Sequence, residues 1–286
     1  MTGAARTPVV LCADDYALSP AVSRGIAELI AAGRLTATGC MTASPYWPEH
    51  AAWLAPHADA ADIGVHFSLT TLPPLTAMPR TAPVGRPTTF DALARAAWLR
   101  RLDIAECRAE FAAQLDAFEA ALGRAPDFVD GHHHIQNLPG LREVVVGLVR
   151  ERYAGRGTYL RSGRERISAV LRRGESAGRA LGLAVPGRAL DRLARRAGVP
   201  VNDGFAGIYD LAPGRDFGAL FRRFLLAARP RTLIMCHPGH VDDALRRLDS
   251  LTDQREAEYA FLMSDGLAAA LEAASVRLAR YAEAGG

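Results

Sequence analysis

The sequence predicts a single α/β domain built on a parallel sheet. Short apolar runs alternate with amphipathic helical segments along most of the 286 residues, and several of the apolar runs end in Asp or His. Alternation of this kind implies parallel strands joined by right-handed crossovers. At this length the sheet could be a barrel or an open doubly wound sheet. Both arrangements bring the carboxyl ends of the strands to one face of the domain.

Composition places the chain among ordinary folded proteins. Hydrophobic residues make up 49% and charged residues 23%, which suits a buried core and argues against disorder. All 34 basic residues are Arg, but they are scattered among 31 acidic residues without a basic face, so we expect no nucleic-acid partner. No apolar stretch is long enough for a membrane helix. Four well-separated cysteines indicate free thiols, and we expect a cytoplasmic protein.

The first part of the chain contains successive β-α units. The apolar run 8–13 predicts a buried strand that ends at Asp14 and Asp15. Ser19 and Pro20 then provide a cap and a first helical residue for the next helix. Further strands and helices are predicted in the order strand 37–42, helix 47–55, strand 62–67 and helix 104–122. A long connection at 70–103 contains five prolines, and we expect it to be a functional loop.

The second part of the chain is less regular. Strands are predicted at 128–129, 158–161 and 231–235, and helices at 141–152, from Leu251 onward and at 264–284. The segment at about 162–199 is rich in Arg, Ala and Gly and has helical spacing. We expect it to be a helical insertion that packs over the main domain.

Polar residues that are unusual in strands lie at four predicted strand ends. They are Asp14 with Asp15, His66, Asp130 with His132, His133 and His134, and His237. Because the carboxyl ends of parallel strands converge, these residues can meet although they are distant in sequence. Asp and His together form a ligand set for a divalent cation, and a second carboxylate beside the cation can accept a proton. The sequence therefore predicts a hydrolytic metal site.

Each of these residues also has a structural interpretation. Paired Asp residues after a strand often cap a helix, His66 could be a hydrogen-bonded core residue, and His237 could belong to a turn. The histidine triplet is harder to explain in this way. In an extended segment consecutive side chains alternate, so at most His132 and His134 share a side and the three cannot serve one core.

Six short segments of the chain match one family pattern in order. They are A-D-D-Y-A-L-S (13–19), G-R-L-T-A-T (33–38), I-G-V-H-F-S-L-T (63–70), L-T-A-M-P (75–79), D-G-H-H-H (130–134) and M-C-H-P-G (235–239). On these segments the chain resembles the YdjC/ChbG (HpnK-like) family of carbohydrate deacetylases. The resemblance implies a distorted (β/α) TIM-like barrel, with residues 1–286 as one deacetylase domain. It also implies one divalent metal ion, zinc or magnesium, and hydrolysis of an N-acetyl group from an amino sugar. The substrate would be a chitooligosaccharide or a glycolipid such as hopanoid-linked N-acetylglucosamine.

The resemblance assigns roles to particular residues of this chain. The metal ligands would be Asp15, His66 and His132. Asp14 would be the general base, and His237 would protonate the leaving amine or hold the tetrahedral intermediate. Residues that would contact substrate or support the ligands are Arg161, His134 and Gln136.

Two positions depart from the family pattern. Many members have Asp-Asp-Phe-Gly where this chain has Asp14-Asp15-Tyr16-Ala17, which alters the turn but keeps both carboxylates. Members often carry a further His two residues after the triplet, where this chain has Gln136, whose amide can still donate a hydrogen bond.

Two other classes of function remain open from the sequence. A metal-dependent phosphoesterase or isomerase on a similar barrel would also use Asp and His, although such sites often recruit two metals and further carboxylates. A non-catalytic sugar-binding protein would be expected to lack the base or a ligand, and Asp14, Asp15, His66 and His132 are all present. The sequence does not choose between zinc and magnesium, and it leaves a homodimer open.

Overall fold

A computed structural model describes residues 6–285, and a parallel sheet forms its core. The strands are β1 (Thr7–Tyr16), β2 (Ala37–Cys40), β3 (Asp62–Phe67), β4 (Phe128–Gly131), β5 (Tyr159–Leu160), β6 (Gly204–Ala206), β7 (Thr232–Cys236) and β8 (Val276–Leu278). Their order is β5-β4-β3-β2-β1-β7-β6, and β8 pairs with the start of β1. Near the sheet's two edges, Leu160 forms a parallel bridge with Val201, just before β6. The expected single α/β domain with a distorted TIM-like barrel is confirmed.

Helices surround the sheet. They are α1 (Pro20–Ala31), α2 (Trp47–Leu54), α3 (Phe90–Trp98), α4 (Ile104–Leu122), α5 (Leu141–Tyr153), α6 (Ile167–Arg173), α7 (Ala177–Arg196), α8 (Phe217–Leu225), α9 (Asp243–Leu248), α10 (Asp253–Met263) and α11 (Asp265–Ala273). The central strand β1 is buried along almost its whole length, as expected for a parallel strand covered on both faces. Within residues 6–285, none of these helices combines the length and apolarity needed to cross a bilayer.

The element boundaries agree with the sequence where caps and periodicity are strong. Helix α4 begins after Asp103, whose side chain accepts hydrogen bonds from the first-turn amides, and ends at Gly123 in a left-handed conformation. Helix α1 begins at Pro20, with the Ser19 hydroxyl accepting from the Val22 amide. Periodicity and capping therefore determine these two helices locally.

Two sequence predictions about the elements are wrong in part. The segment 264–284 was expected to be one helix, but α11 ends at Ala273 and the left-handed Ser275 turns the chain into β8, which pairs with β1. Sheet pairing at the start of β1 thus outweighs the helical propensity of the alanines. The long connection at 70–103 also contains helix α3, which begins at Phe90 after Thr89, whose side chain caps it.

At the end of β1 and in the turn after it, two residues other than glycine lie in the left-handed region. Asp15 and Ala17 both have φ of 70°. The Ala17 amide donates to the Ser23 hydroxyl at 3.0 Å, and the Ala17 side chain is fully buried. A left-handed backbone is costly for a residue with a Cβ atom, so the turn that delivers Asp14 and Asp15 is strained.

We expect Ala17→Gly to stabilise the protein by about 0.5–1 kcal/mol, because glycine adopts this conformation without steric cost. Urea unfolding should show a higher midpoint with an unchanged slope. Ala37→Gly, in the buried strand β2, is the matched control and should destabilise the protein. A loss of stability in Ala17→Gly would show that the turn is not strained at this position.

Candidate metal and catalytic site

Asp15, His66 and His132 meet at the carboxyl ends of β1, β3 and β4. His132 Nδ1 lies 2.9 Å from Asp15 Oδ1, and His66 Nε2 lies 3.4 Å from the same oxygen. One donor atom from each residue lies within 4.8 Å of the other two, and all three side chains are buried. One carboxylate and two imidazoles at this separation fit a divalent cation and leave coordination positions for other ligands. We call these three residues the donor cluster.

The environment of His66 also fits a cation. Its Nδ1–H donates to Asp130 Oδ1 at 2.6 Å, which directs Nε2 toward Asp15. Burial lowers the pKa of His66, but the charges of Asp130 and Asp14 outweigh burial and raise this pKa to about 10. The surrounding carboxylates therefore favour a positive charge between these side chains, which a divalent ion supplies when bound.

The second carboxylate oxygen of Asp15 is held by Arg255 of α10. Arg255 Nη2 donates to Asp15 Oδ2 at 2.7 Å and to Asp249 Oδ2 at 2.8 Å, and the Arg255 side chain is fully buried. Burial opposes ionisation of Asp15, but His132 and Arg255 hold its pKa well below the usual value. Asp15 is thus ionised, and its Oδ1 is the oxygen turned toward the two imidazoles.

Asp14 lies beside the donor cluster and is paired with Arg161. The guanidinium donates to both oxygens of Asp14, at 2.5 and 2.8 Å, and its Nε lies 3.0 Å from Asp130 Oδ2. Burial raises the pKa of Asp14, but the Arg161 charge outweighs it and lowers the pKa to about 2. Asp14 Oδ2 lies 4.0 Å from His66 Nε2 and 3.9 Å from His237 Nε2. An ionised carboxylate therefore stands between the donor cluster and His237.

His237 follows β7 and is fixed through its backbone. Its N–H donates to Glu258 Oε2 at 2.6 Å, and the other oxygen of Glu258 accepts from the Tyr209 hydroxyl at 2.5 Å. Burial lowers the pKa of the His237 imidazole, so the ring is neutral at neutral pH. A neutral imidazole next to a carboxylate can accept a proton and release it to another group.

The histidine triplet is a tight turn and not the extended segment expected from the sequence. His133 and His134 have φ of 54° and 58°, so the alternation of side chains in extended backbone does not apply. His132 enters the donor cluster, whereas His133 Nδ1 lies 3.0 Å from the Thr70 hydroxyl. The His134 ring packs edge-on against Phe205 with centroids 5.6 Å apart. The rings of His132 and His133 lie against each other with centroids 3.9 Å apart, but the polar or aromatic partner of each of the three rings is different.

Gln136 supports the backbone of the site. Its side-chain amide donates to the backbone oxygen of Arg161 at 3.0 Å, and the Gln136 side chain is fully buried. This bond ties the turn after β4 to the residue that pairs with Asp14.

Three residues that support the site have no individual role among the sequence predictions. Asp130 was visible as a polar strand end, and its position before the triplet was the available signal. Arg255 and Glu258 lie three residues apart on α10, within an ordinary charged helical segment. Their burial follows from the packing of α10 against the barrel, which no local pattern indicates.

The buried Glu258 carboxyl predicts a pH dependence of stability. Burial outweighs the hydrogen bonds from Tyr209 and His237 and raises the pKa of Glu258 from 4.5 to about 7. The folded state then binds more protons than the unfolded state between these pH values, so this group's contribution to stability falls as pH rises through that window. We expect Glu258→Gln to gain about 1–3 kcal/mol relative to the wild type between pH 4.5 and pH 8.

Urea unfolding at several pH values measures this difference. Glu256→Gln, on the exposed side of the same helix, is the matched control for removal of a charge. A stability difference between Glu258→Gln and the wild type that stays constant over this pH range would contradict the assignment.

The fold and the side chains together define a class of protein, a distorted α/β barrel with a buried Asp/His cluster at the carboxyl ends of its strands. More particularly, the chain belongs to the YdjC-like protein family, whose model matches residues 8–273. This result confirms the family resemblance found in the sequence.

Curated relatives and a solved structure extend the comparison. Chitooligosaccharide deacetylases of Yersinia pestis (strain Pestoides F) and Yersinia pseudotuberculosis serotype O:1b are 32% identical over 148 residues, which is 50% of this chain and 56% of each relative. The chain thus spans about half the length of the curated relatives it matches. A crystal structure from Enterococcus faecalis V583, provisionally named a cellobiose-phosphate cleavage protein, superposes with a TM-score of 0.76 at 23% identity, over 97% of this chain and 98% of that one. This likeness concerns the fold.

Proposed function

We propose that this protein is a metal-dependent carbohydrate deacetylase that hydrolyses the N-acetyl group of an amino sugar. The observation that carries the proposal is the arrangement of the Asp14-Asp15 pair. One carboxylate belongs to the donor cluster, and the other lies beside it between His66 and His237. Hydrolysis of an amide needs these two functions side by side, a site for an electrophilic ion and a separate proton acceptor.

Asp15, His66 and His132 would hold one divalent ion, zinc or magnesium. When bound, such an ion polarises a carbonyl group and lowers the pKa of coordinated water. The outer bonds of the cluster, from His66 to Asp130 and from Asp15 to Arg255, keep the inward-facing donor atoms fixed.

Asp14 acts as the general base. Its ionised carboxylate takes the proton of the attacking water, and Arg161 keeps both oxygens in place while that occurs. His237, whose Nε2 lies 3.9 Å from Asp14 Oδ2, accepts that proton from Asp14 and transfers it to the leaving amine, which returns Asp14 to its ionised form and the ring to its neutral form. Arg161 therefore orients the base. His134 forms part of the wall of the site, and Gln136 supports the backbone of Arg161.

The substrate is an N-acetylated amino sugar, in a chitooligosaccharide or in a glycolipid. The names of the Yersinia relatives, chitooligosaccharide deacetylases, support a chitooligosaccharide as the substrate. Exposed apolar side chains on the helices of segment 162–199 would suit an apolar group attached to the sugar; they are Ile167, Leu171 and Val185.

Acetate release distinguishes these substrates and the other reaction classes. Metal-stripped and zinc- or magnesium-reloaded protein would be incubated with N,N'-diacetylchitobiose, a lipid-linked N-acetylglucosamine and p-nitrophenyl phosphate. We expect metal-dependent acetate release from at least one acetylated sugar and no phosphate release. Phosphate release without acetate release would assign the site to a phosphoesterase instead.

A further inference from the structure

The two imidazoles of the donor cluster are oriented by different parts of the molecule. His66 is held by Asp130, which lies on the neighbouring strand β4. His132 is held by Thr71, which follows β3 in the long 70–103 loop. The Thr71 hydroxyl lies 3.0 Å from His132 Nε2, while Nδ1 of the same ring faces Asp15 at 2.9 Å.

This arrangement fixes the orientation of the His132 ring at both nitrogens. The Thr71 hydroxyl can donate to Nε2 or accept from it, so this bond is kept whichever ring nitrogen carries the proton. Without a cation, the ionised Asp15 accepts from Nδ1–H; a cation at Nδ1 would require the proton on Nε2, where the Thr71 oxygen can accept it. The Thr71 hydroxyl is therefore placed to hold the ring with Nδ1 facing the donor cluster.

The backbone at Thr71 is held in an unfavourable conformation. Its φ is 69°, which is rare for a β-branched residue and persists only where the surroundings impose it. Two side chains of helix α4 hold the loop on either side of Thr71. Gln114 exchanges hydrogen bonds with the backbone N–H and oxygen of Ser68, at 3.0 and 2.7 Å.

The second of these α4 side chains holds the loop on the far side of Thr71. The buried Glu110 carboxylate accepts the amide of Leu75 at 3.0 Å and the amide and hydroxyl of Thr76 at 2.7 and 2.8 Å. Gln114 also donates to Glu110 at 2.7 Å, which joins the two anchors. The segment that carries Thr71 is thus fixed at both ends by one face of a helix.

We propose that Thr71 is a positioning residue for His132, and that α4 sets the metal affinity of the site by fixing the loop through Gln114 and Glu110. This inference rests on the proposed metal site. It makes the long 70–103 loop a part of the metal centre's support. Thr70 provides a comparison for Thr71. Its hydroxyl bonds to His133, which lies outside the donor cluster.

The test is metal affinity of the full-length, metal-stripped protein, measured by competition between the protein and a chromophoric zinc chelator. Thr71→Val removes the hydroxyl and keeps the β-branched shape, and we expect it to weaken zinc binding about 10–100-fold, as for other supports of metal ligands. Thr71→Ser restores the hydroxyl and should bind within about 3-fold of the wild type. Thr70→Val, the matched control, should also remain close to the wild type.

The outcomes separate this inference from the proposed function. Weaker zinc binding in Thr71→Val alone, with unchanged thermal unfolding of the stripped proteins, would support the positioning role. Unchanged affinity in Thr71→Val, or equal losses in Thr71→Val and Thr70→Val, would overturn it while leaving the metal site intact. If the wild type bound neither zinc nor, in a parallel titration, magnesium, the metal site itself would be refuted, and the positioning role with it.

Discussion

Asp14→Asn should reduce kcat/KM for acetate release by about 1000-fold while leaving one divalent ion per chain bound. The substitution removes the proton acceptor but leaves Asp15, His66 and His132 unchanged. Asn also presents an amide to Arg161 in place of a carboxylate oxygen, so the pairing with the guanidinium weakens. Activity would be measured with the preferred acetylated sugar, and bound metal by elemental analysis of the same samples.

Acetate release and bound metal, measured on the same samples, distinguish a general base from a metal ligand. Loss of activity together with loss of metal would place Asp14 among the ligands and not at the base position. Activity above about one tenth of the wild type would exclude Asp14 as the general base, because general base catalysis contributes at least about 100-fold.

Asp15→Asn should weaken divalent metal binding by at least about 100-fold, since even the loss of a residue that only supports a ligand costs 10–100-fold. Asn is well suited to this test because it tolerates the left-handed backbone that Asp15 adopts, with φ of 70°. The substitution therefore removes the negative charge beside His66 and His132 without a new steric cost. Zinc affinity of the stripped variant measures the effect.

Asp249→Asn is the matched control for Asp15→Asn. Asp249 binds the same atom of Arg255, at 2.8 Å, but Asp15 is the member of the donor cluster. We expect Asp249→Asn to retain zinc affinity within about 10-fold, the lower bound for residues that support metal ligands. Equal losses in the two variants would mean that Arg255, and not Asp15 itself, determines the affinity.

Much of the site is encoded by short motifs at strand ends. Asp14, Asp15, His66 and His132 are brought together because β1, β3 and β4 run parallel and end on the same face. That inference needs only the location of the strands and the polar residue after each one. Their proximity was therefore predictable, although the distances and the partners of each atom were not.

The features of the site that the sequence did not predict depend on tertiary packing or on unusual backbone conformations. The left-handed conformations of His133 and His134 turned an expected extended segment into a tight turn, and nothing in a run of histidines indicates that geometry. Arg255 reaches Asp15 across 240 positions of sequence from a helix with an ordinary charged pattern. Glu110 resembled any polar residue on an amphipathic helix, yet it is fully buried against the loop.

The most direct test of the proposed metal-dependent deacetylation is a titration of metal-stripped wild-type protein with zinc and with magnesium. Bound metal and acetate release are measured together. We expect no acetate release from the stripped protein, and a rise in activity that saturates at one ion per chain. Acetate release from stripped protein that does not increase with either metal would contradict this expectation. So would full occupancy at Asp15, His66 and His132 without acetate release from any acetylated amino sugar.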